Sequence, residues 1–223
     1  MIYIHKSSWI YRSRTFEGDL HVILNNRKNI LILASASTVR ASLLDGAGLN
    51  FRTMPSNIDE SSIKKLMNNK GAGPTAQKLA EQKAKFVSNQ NSDAYVVGCD
   101  QLLDCDGEWF DKPTDVVDLR RQLLSLRGRE HSLLTSICIF HQQSCIWSFT
   151  DSSTLRMRNF SESFLEHYIS SSGSSALQCV GGYKLEGLGA QLFEKVEGDY
   201  FSILGLPLFP LLEVLRSYRV IPL

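Results

Sequence analysis

The sequence lacks the features that mark membrane, secreted and nucleic-acid-binding proteins. Its apolar runs are much shorter than the roughly 20 residues that span a bilayer. The N-terminal segment contains no apolar signal-peptide core. The net charge is only +1, and no basic stripe interleaved with aromatic residues occurs. We therefore expect a cytoplasmic protein that associates neither with a membrane nor with a nucleic acid polymer.

Cysteine and histidine are few and are not spaced for a structural frame. The 5 cysteines are an odd number, form no Cys-x-x-Cys pair, and several of them stand in apolar runs. This usage is typical of reduced, buried thiols. The 5 histidines form no cluster with metal-ligand spacing. The sequence therefore predicts neither a disulfide framework nor a zinc site.

The composition is that of a packed globular chain. Apolar residues make up 43% and charged residues 21% of the 223 positions, which is ordinary for one sizeable domain. No internal repeat and no long linker divides the chain. We interpret residues 1–28 as an extension outside the main fold, which then covers residues 29–223.

Short apolar runs and capped helices alternate in an irregular order. Extended segments are predicted at 29–34, 49–60, 95–99, 131–141, 144–158, 183–186 and 190–196, with a hairpin turn at Asp106-Gly107. Five helices are predicted: from Thr38 to Gly46 after the cap Ser37, from Thr75 to Asn89, after the cap Thr114, from Ser161, and from about Pro207. The helix after Thr114 is expected to point Val116, Leu119, Leu123 and Leu126 inward. Residues 68–74 and 170–175 are predicted to be loops. This order indicates a mixed α/β domain rather than a regular doubly wound sheet.

The first candidate binding feature is the junction between the first strand and the first helix. Ser35-Ala36-Ser37 are small residues, and Arg40 stands in the first helical turn. Free amides at a helix N-terminus bind anions, and an arginine can add a bidentate contact to phosphate. An ordinary capped helix with a solvated arginine is the alternative.

Two charged residues occupy positions that are otherwise apolar. Lys83 lies on the apolar face of its predicted helix, where it needs an anionic partner or a route to water. Asp100 directly follows the apolar run 95–99, at the kind of strand end where α/β sheets place ligands. A snorkelling lysine and a turn aspartate are the alternatives. Asp59-Glu60 and Lys112 would complete a metal and phosphate site, although each alone is unremarkable surface charge.

Taken in order, these segments resemble the Maf (septum formation inhibitor) family of nucleotide pyrophosphatases. The matching stretches are LILASAS with Arg40, PSNIDE, LAEQKA, VVGCDQ, DKPTD, LRGREHSLLT, GGYKLEGLG and EGDYFSILGLPL. They cover about residues 30–216. The resemblance implies an elongated ITPase-like α/β fold, with a mixed sheet and two lobes around a central cleft, usually as a homodimer.

The resemblance also implies a reaction and roles for individual residues. The family hydrolyses a nucleoside triphosphate between its α- and β-phosphates with a divalent cation, Mg²⁺ or Mn²⁺. Asp100 matches the family's proposed catalytic base and metal ligand, and Glu60 matches a carboxylate near the metal. The phosphate-contacting set is matched by Ser35, Arg40, Lys83 and Lys112.

Departures from the family pattern indicate a branch. Where many members have Ser-Pro-Arg-Arg, this chain has Ser37-Thr38-Val39-Arg40, so one arginine is missing. Gln101, Lys184 and Glu186 resemble the branch that acts on 7-methyl-GTP, and Glu186 can accept hydrogen bonds from a guanine edge or pair with Lys184. A dTTP/UTP pyrophosphatase and a nucleotide-binding regulator of cell division with little turnover remain the alternatives.

Overall fold

A seven-stranded mixed sheet forms the centre of the fold in the computed structural model, which describes residues 29–223. The strands are Leu31–Leu33 (β1), Arg52–Thr53 (β2), Tyr95–Cys105 (β3), Glu108–Phe110 (β4), Glu130–His141 (β5), Ser144–Met157 (β6) and Phe193–Glu197 (β7). Their order is β2-β1-β3-β5-β6-β7, with β4 paired to β3. β1 is parallel to β2 and β3, and the other pairs are antiparallel. The predicted mixed α/β class is confirmed, whereas the interpretation of residues 1–28 lies outside the described residues.

The described part of the chain contains seven α-helices. They are Thr38–Gly46 (α1), Glu60–Met67 (α2), Ala72–Ser88 (α3), Val116–Leu126 (α4), Glu162–Ser172 (α5), Tyr200–Ile203 (α6) and Leu208–Ser217 (α7). Short 3₁₀ segments lie at Asn68–Lys70, Gly173–Gln178, Val180–Gly182 and Leu188–Leu192. Within residues 29–223, no helix combines the length and the apolar character needed to cross a bilayer.

The long strands β3 and β5 carry two separate apolar cores at their two ends. They pair from Val96 and Phe140 at one end to Asp104 and Ser132 at the other. One core surrounds Leu103, and the other surrounds Val97 on the same strand. The polar positions Asp100 and Gln101 lie between them. Two lobes therefore meet at the middle of one strand pair, as the resemblance implied.

The apolar run 95–99 is only the first half of a longer strand. β3 continues through buried Leu102 and Leu103 to Cys105, where the predicted turn at Asp106-Gly107 leads into β4. The prediction that Asp100 follows the strand is therefore wrong. It lies inside β3, because pairing with β4 and β5 continues the ladder past this polar residue.

One helix, α2, was not predicted, and two predicted helices begin at other residues. The segment 49–60 contains only the short strand β2, and Asp59 instead caps α2 by accepting from the amide of Ser62. α3 begins at Ala72 rather than Thr75, so 68–74 is not a loop; Pro74 is tolerated in the first helical turn. Asp115, not Thr114, caps α4.

Two further expectations about packing are also wrong. Val116 was expected in the inward stripe of α4 but is 52% exposed, because it occupies the first position of the helix, before the buried stripe begins at Leu119. Residues 183–186 form no strand. Gly181 and Gly182, both at positive φ, bend the chain just before this stretch, and after extended Tyr183 a turn follows in which the Gly187 amide donates to the Lys184 carbonyl. The region 170–175 is also more ordered than a loop, because α5 and a 3₁₀ segment share it.

Gly98 lets α3 approach β3 at backbone distance. A Cβ atom at this position would overlap the carbonyl oxygen of Ala80 and lie 2.8 Å from the Cβ of Ala84. Both alanines are fully buried on the helix. The absence of a side chain at Gly98 therefore sets the spacing between this helix and the sheet.

We expect Gly98→Ala to lower the free energy of unfolding by about 1–3 kcal/mol, because the added methyl group overpacks a rigid backbone contact. Urea denaturation followed by circular dichroism measures the change. Gly73→Ala is the matched control, since nothing lies within 4 Å of a Cβ there. Equal stability of the two variants would contradict the close packing at Gly98.

Candidate active site

A cleft of about 750 Å³ opens between the two lobes. The residues proposed from the sequence that line it are Ser35, Arg40, Glu60, Lys83, Asp100, Gln101, Lys112 and Glu186. Lys184 is not among the lining residues, and Asp59 is taken up by capping α2. The structure therefore brings Glu60, Asp100, the helix junction and three of the four proposed cations to one cavity.

A three-membered charge cluster forms the floor of the cleft. The Lys83 Nζ atom lies 2.5 Å from Asp100 Oδ1 and 2.8 Å from Glu60 Oε1. Asp100 is 5% exposed, whereas the side chain of Glu60 at the start of α2 is 45% exposed. Lys83 thus uses the carboxylates as its partners instead of snorkelling to water. The cluster reaches from a buried wall to the open mouth.

Burial and charge act in opposite directions on the pKa values of this cluster. Burial raises the pKa of the Asp100 carboxyl above its ordinary value, although Lys83 and Arg40 oppose the rise. Burial alone would lower the pKa of Lys83, but Asp100 and Glu60 outweigh it, so this pKa is raised. An aspartate with a raised pKa holds a transferred proton better than an exposed one does, which suits a general base.

The helix junction forms one rim of the cleft. The chain leaves β1 through buried Ser35, and Ser37 caps α1 by accepting from the amide of Arg40 at 3.3 Å. The Ser37 amide donates to Ser35 Oγ at 3.2 Å, which tightens the turn. Val39 also lines the cleft, so the missing arginine would have stood at this rim. The N-terminus of α1 is therefore placed for an anion.

Arg40 makes contacts that its predicted role did not anticipate. Its Nε donates to the Gly205 carbonyl at 2.8 Å, and Nη1 donates to the Cys99 carbonyl at 2.8 Å and to Ser35 Oγ at 3.3 Å. Within the described residues, Nη2 has no hydrogen-bond acceptor. The guanidinium therefore ties together segments far apart in sequence and leaves one edge for a ligand.

We expect Arg40→Lys to lower the free energy of unfolding by about 1.5–3 kcal/mol, because one ammonium cannot reach both carbonyls. Thermal and urea denaturation measure the loss. Arg52→Lys, on the exposed strand β2, is the matched control. Unchanged stability of Arg40→Lys would show that the guanidinium does not hold these segments together.

Gln101 fixes α6 against the sheet. Its Nε2 atom donates to Thr135 Oγ1 at 2.8 Å and to the carbonyls of Ser202 and Ile203 at 3.0 and 3.1 Å. Thr135 Oγ1 itself donates to Ser202 at 2.9 Å. With the amide nitrogen engaged, the amide oxygen of Gln101 is the group left for a ligand in the cleft.

Lys64, Lys65 and Asp111 also line the cleft, although the sequence interpretation did not select them. Lys64 forms an ion pair with Asp111 across the mouth. The misassignment of α2 hid this group. In a helix that begins at Glu60, Lys64 follows four residues later and shares its face, and this spacing would have identified it.

The residues present fit a divalent cation that is completed by substrate. Asp100 and Glu60 converge on one point, the Lys83 ammonium, and their oxygens are the hard ligands that Mg²⁺ and Mn²⁺ accept. No group of three or more His, Cys, Asp or Glu residues with metal-binding geometry occurs in the part of the chain that is described. Mg²⁺ commonly uses one or two carboxylates together with substrate phosphates, which matches this donor set.

Comparison with known proteins identifies the family. The model of the Maf-like protein family matches residues 30–218. The nucleoside triphosphate pyrophosphatase of Granulibacter bethesdensis is 46% identical over 193 residues, which cover 86% of this chain and 98% of that protein. The 7-methyl-GTP pyrophosphatase of Rhizobium meliloti is 42% identical over 196 residues, 87% of this chain and 98% of that protein. From these matches along most of its length, the chain belongs to the Maf family.

Proposed function

We propose that this chain is a nucleoside triphosphate pyrophosphatase, which hydrolyses its substrate to a nucleoside monophosphate and pyrophosphate. The observation that carries the proposal is the Glu60–Lys83–Asp100 cluster at the floor of a cleft that also contains the N-terminus of α1. Carboxylates beside cations and free amides suit a polyanionic substrate and a water nucleophile. The names of the relatives from Granulibacter bethesdensis and Rhizobium meliloti support the same activity.

In the proposed reaction, the protein holds the triphosphate and activates a water molecule. The amides at the start of α1, the free edge of Arg40 and the ammonium of Lys112 bind phosphate oxygens. Asp100 accepts a proton from water as the water oxygen attacks the α-phosphorus. The bond from that phosphorus to the α,β-bridging oxygen breaks, and pyrophosphate leaves with the electron pair.

Asp100 and Glu60 would hold the divalent cation in this scheme. When bound, Mg²⁺ or Mn²⁺ supplies positive charge for the phosphate oxygens. Lys83 holds both carboxylates close together. Chelation with EDTA should therefore remove the activity, and added Mg²⁺ should restore it.

For the substrate, we propose a modified purine nucleotide such as 7-methyl-GTP. Glu186 lines the cleft, and its carboxylate is an acceptor for the amino edge of guanine. No ion pair joins Glu186 to Lys184 within residues 29–223, so this carboxylate is available. The relative from Rhizobium meliloti carries the 7-methyl-GTP name, whereas that from Granulibacter bethesdensis has only the general one.

Initial rates on 7-methyl-GTP, dTTP and UTP with Mg²⁺ test the activity and the substrate together. Release of pyrophosphate, rather than orthophosphate, from any of them supports the activity. A preference for 7-methyl-GTP of tenfold or more supports the proposed branch, and the reverse preference would replace it with dTTP/UTP hydrolysis. Binding without turnover on all three would instead favour the nucleotide-binding regulator, to which the missing arginine at Val39 gives some support.

We propose that the enzyme works as a homodimer in the cytoplasm. All five cysteines are free thiols, which suits a reducing compartment such as the cytoplasm.

Light scattering on a gel-filtration column tests the proposed homodimer directly. A mass of twice the 25.0 kDa of one chain is expected, and a single-chain mass would contradict the dimer.

A further inference from the structure

His131 is a buried histidine that the proposed reaction does not use. It lies at the beginning of β5 and is 2% exposed. Its Nε2 atom lies 2.8 Å from the hydroxyl oxygen of Tyr183. Burial lowers its pKa to about 4, so the ring is neutral near pH 7. Its second nitrogen, Nδ1, is buried and has no hydrogen-bond partner within the described residues.

The pair is not explained by stability alone. An apolar side chain in place of His131 would pack among Tyr183 and Phe193 without leaving a nitrogen unpaired, and a buried unpaired polar atom destabilises a fold. Buried polar pairs do, however, fix one geometry where apolar contacts would permit several. The hydrogen bond to His131 Nε2 therefore fixes the orientation of the Tyr183 side chain.

Tyr183 belongs to a segment that no strand holds in place. Tyr183, Leu185 and Glu186 line the cleft, yet residues 183–186 belong to no strand or helix. Side chains fix this segment instead: the Tyr168 hydroxyl donates to the Gly182 carbonyl at 2.9 Å, and Tyr183 reaches His131. The hydroxyl groups of Tyr168 and Tyr183 therefore connect the segment to the surrounding structure by hydrogen bonds.

The hydrogen bond from Tyr183 to His131 connects this segment to β5, one of the two paired strands at the floor of the cleft. His131 stands on β5, and β5 pairs with β3 at Asp100 and Gln101. Tyr183, at the other end of this hydrogen bond, is three residues from Glu186, the carboxylate proposed to bind the nucleobase. The hydrogen bond between His131 and Tyr183 therefore joins the segment that carries Glu186 to the strand pair that carries Asp100 and Gln101.

We propose that His131 is a positioning residue that acts through Tyr183 to orient the segment 183–186 toward the nucleobase of the substrate. This inference rests on the proposed function, because it assigns that segment to the nucleobase. It predicts an effect on nucleotide binding and base preference, with little effect on the hydrolytic step.

The test compares His131→Phe, Tyr183→Phe, the double variant and His131→Gln with the wild type. His131→Phe and Tyr183→Phe should each raise KM about tenfold with kcat within about twofold, and both should weaken the preference between 7-methyl-GTP and UTP. The double variant should be no worse than either single one, because both remove the same hydrogen bond. His131→Gln, whose amide can still bond the tyrosine hydroxyl, should recover most of the binding.

A structural role would give a different pattern. Lower melting temperatures with unchanged KM and unchanged base preference in both single variants would overturn the inference, as would a loss confined to kcat. Calorimetric Kd values for a non-hydrolysable triphosphate analogue give the same comparison without turnover. Failure of the wild type to release pyrophosphate would count against the proposed function, whereas equal Kd values for wild type and His131→Phe would count against the role of His131.

Discussion

Replacing Asp100 with asparagine should reduce pyrophosphate release by a factor of about 10²–10⁴, the usual contribution of a general base. Asparagine has nearly the same shape but cannot accept the proton from the attacking water. Lys83 keeps Glu60 as a partner in this variant, so no buried charge is left alone. The fold should therefore persist while the reaction is lost, and a coupled pyrophosphate assay beside a thermal melt measures both.

Asp93→Asn is the matched control, because that carboxylate is exposed and lies outside the cleft. In the wild type, a base must be ionised to act, so the rate should fall as the pH drops through the pKa of Asp100. Since burial raises this pKa, the fall should begin at a higher pH than an exposed aspartate would give. An Asp100→Asn enzyme with full activity would end the proposed mechanism.

Replacing Lys83 with methionine should lower the free energy of unfolding by about 3–5 kcal/mol near neutral pH, because it leaves Asp100 charged and unpaired inside the protein. The exposed carboxylate of Glu60 contributes little to this figure. Turnover should fall as well, since the floor of the cleft loses its cation. Urea unfolding and the pyrophosphate assay measure the two effects.

The loss of stability in Lys83→Met should depend on pH in a defined direction. Without the ammonium, burial holds the pKa of Asp100 above its value in the unfolded chain. When the pKa of a group is higher in the folded protein than in the unfolded chain, its contribution to the free energy of unfolding is complete at a pH below the unfolded-state pKa. That contribution is lost as the pH rises through the folded-state pKa. The variant should therefore be closer to the wild type at pH 5 than at pH 8.

Lys85→Met provides the control on the same helix, because Lys85 is exposed. It should change the free energy of unfolding by well under 1 kcal/mol at either pH. A Lys83→Met protein as stable as this control at pH 8 would mean that Asp100 does not depend on the ammonium. That result would contradict the charge cluster as the basis of the site.

The sequence predicted the longest elements best. β5 and β6 lie almost where their apolar patterns placed them, and the buried face of α3 is the predicted one, with Lys83 within it. α2 was missed although its few apolar residues lie on one face, because the helix is only 8 residues long and none of its residues is buried. A pattern that repeats over a long element therefore located it even where the element is largely exposed, as β6 is, whereas the short α2 was overlooked.

The contacts of the candidate site were harder to predict than its members. Arg40 was selected as a cation near a helix N-terminus, yet it bonds the carbonyl of Gly205, 165 residues away. Gln101 likewise bonds α6, which was not predicted. Such partners are set by the packing of distant segments, and no spacing along the chain encodes them. Lys184 was selected because it matches a family motif, yet it does not line the cleft.

The absence of a side chain at Gly98 also affects Asp100, two residues further along β3. The carbonyl it accommodates belongs to Ala80, and Lys83 follows within the same helical turn. A methyl group that pushed the helix outward would also draw the ammonium away from both carboxylates. Catalysis can therefore be damaged through a residue that a nucleotide never meets, because Gly98 and Asp100 lie on the same face of β3 and both face α3.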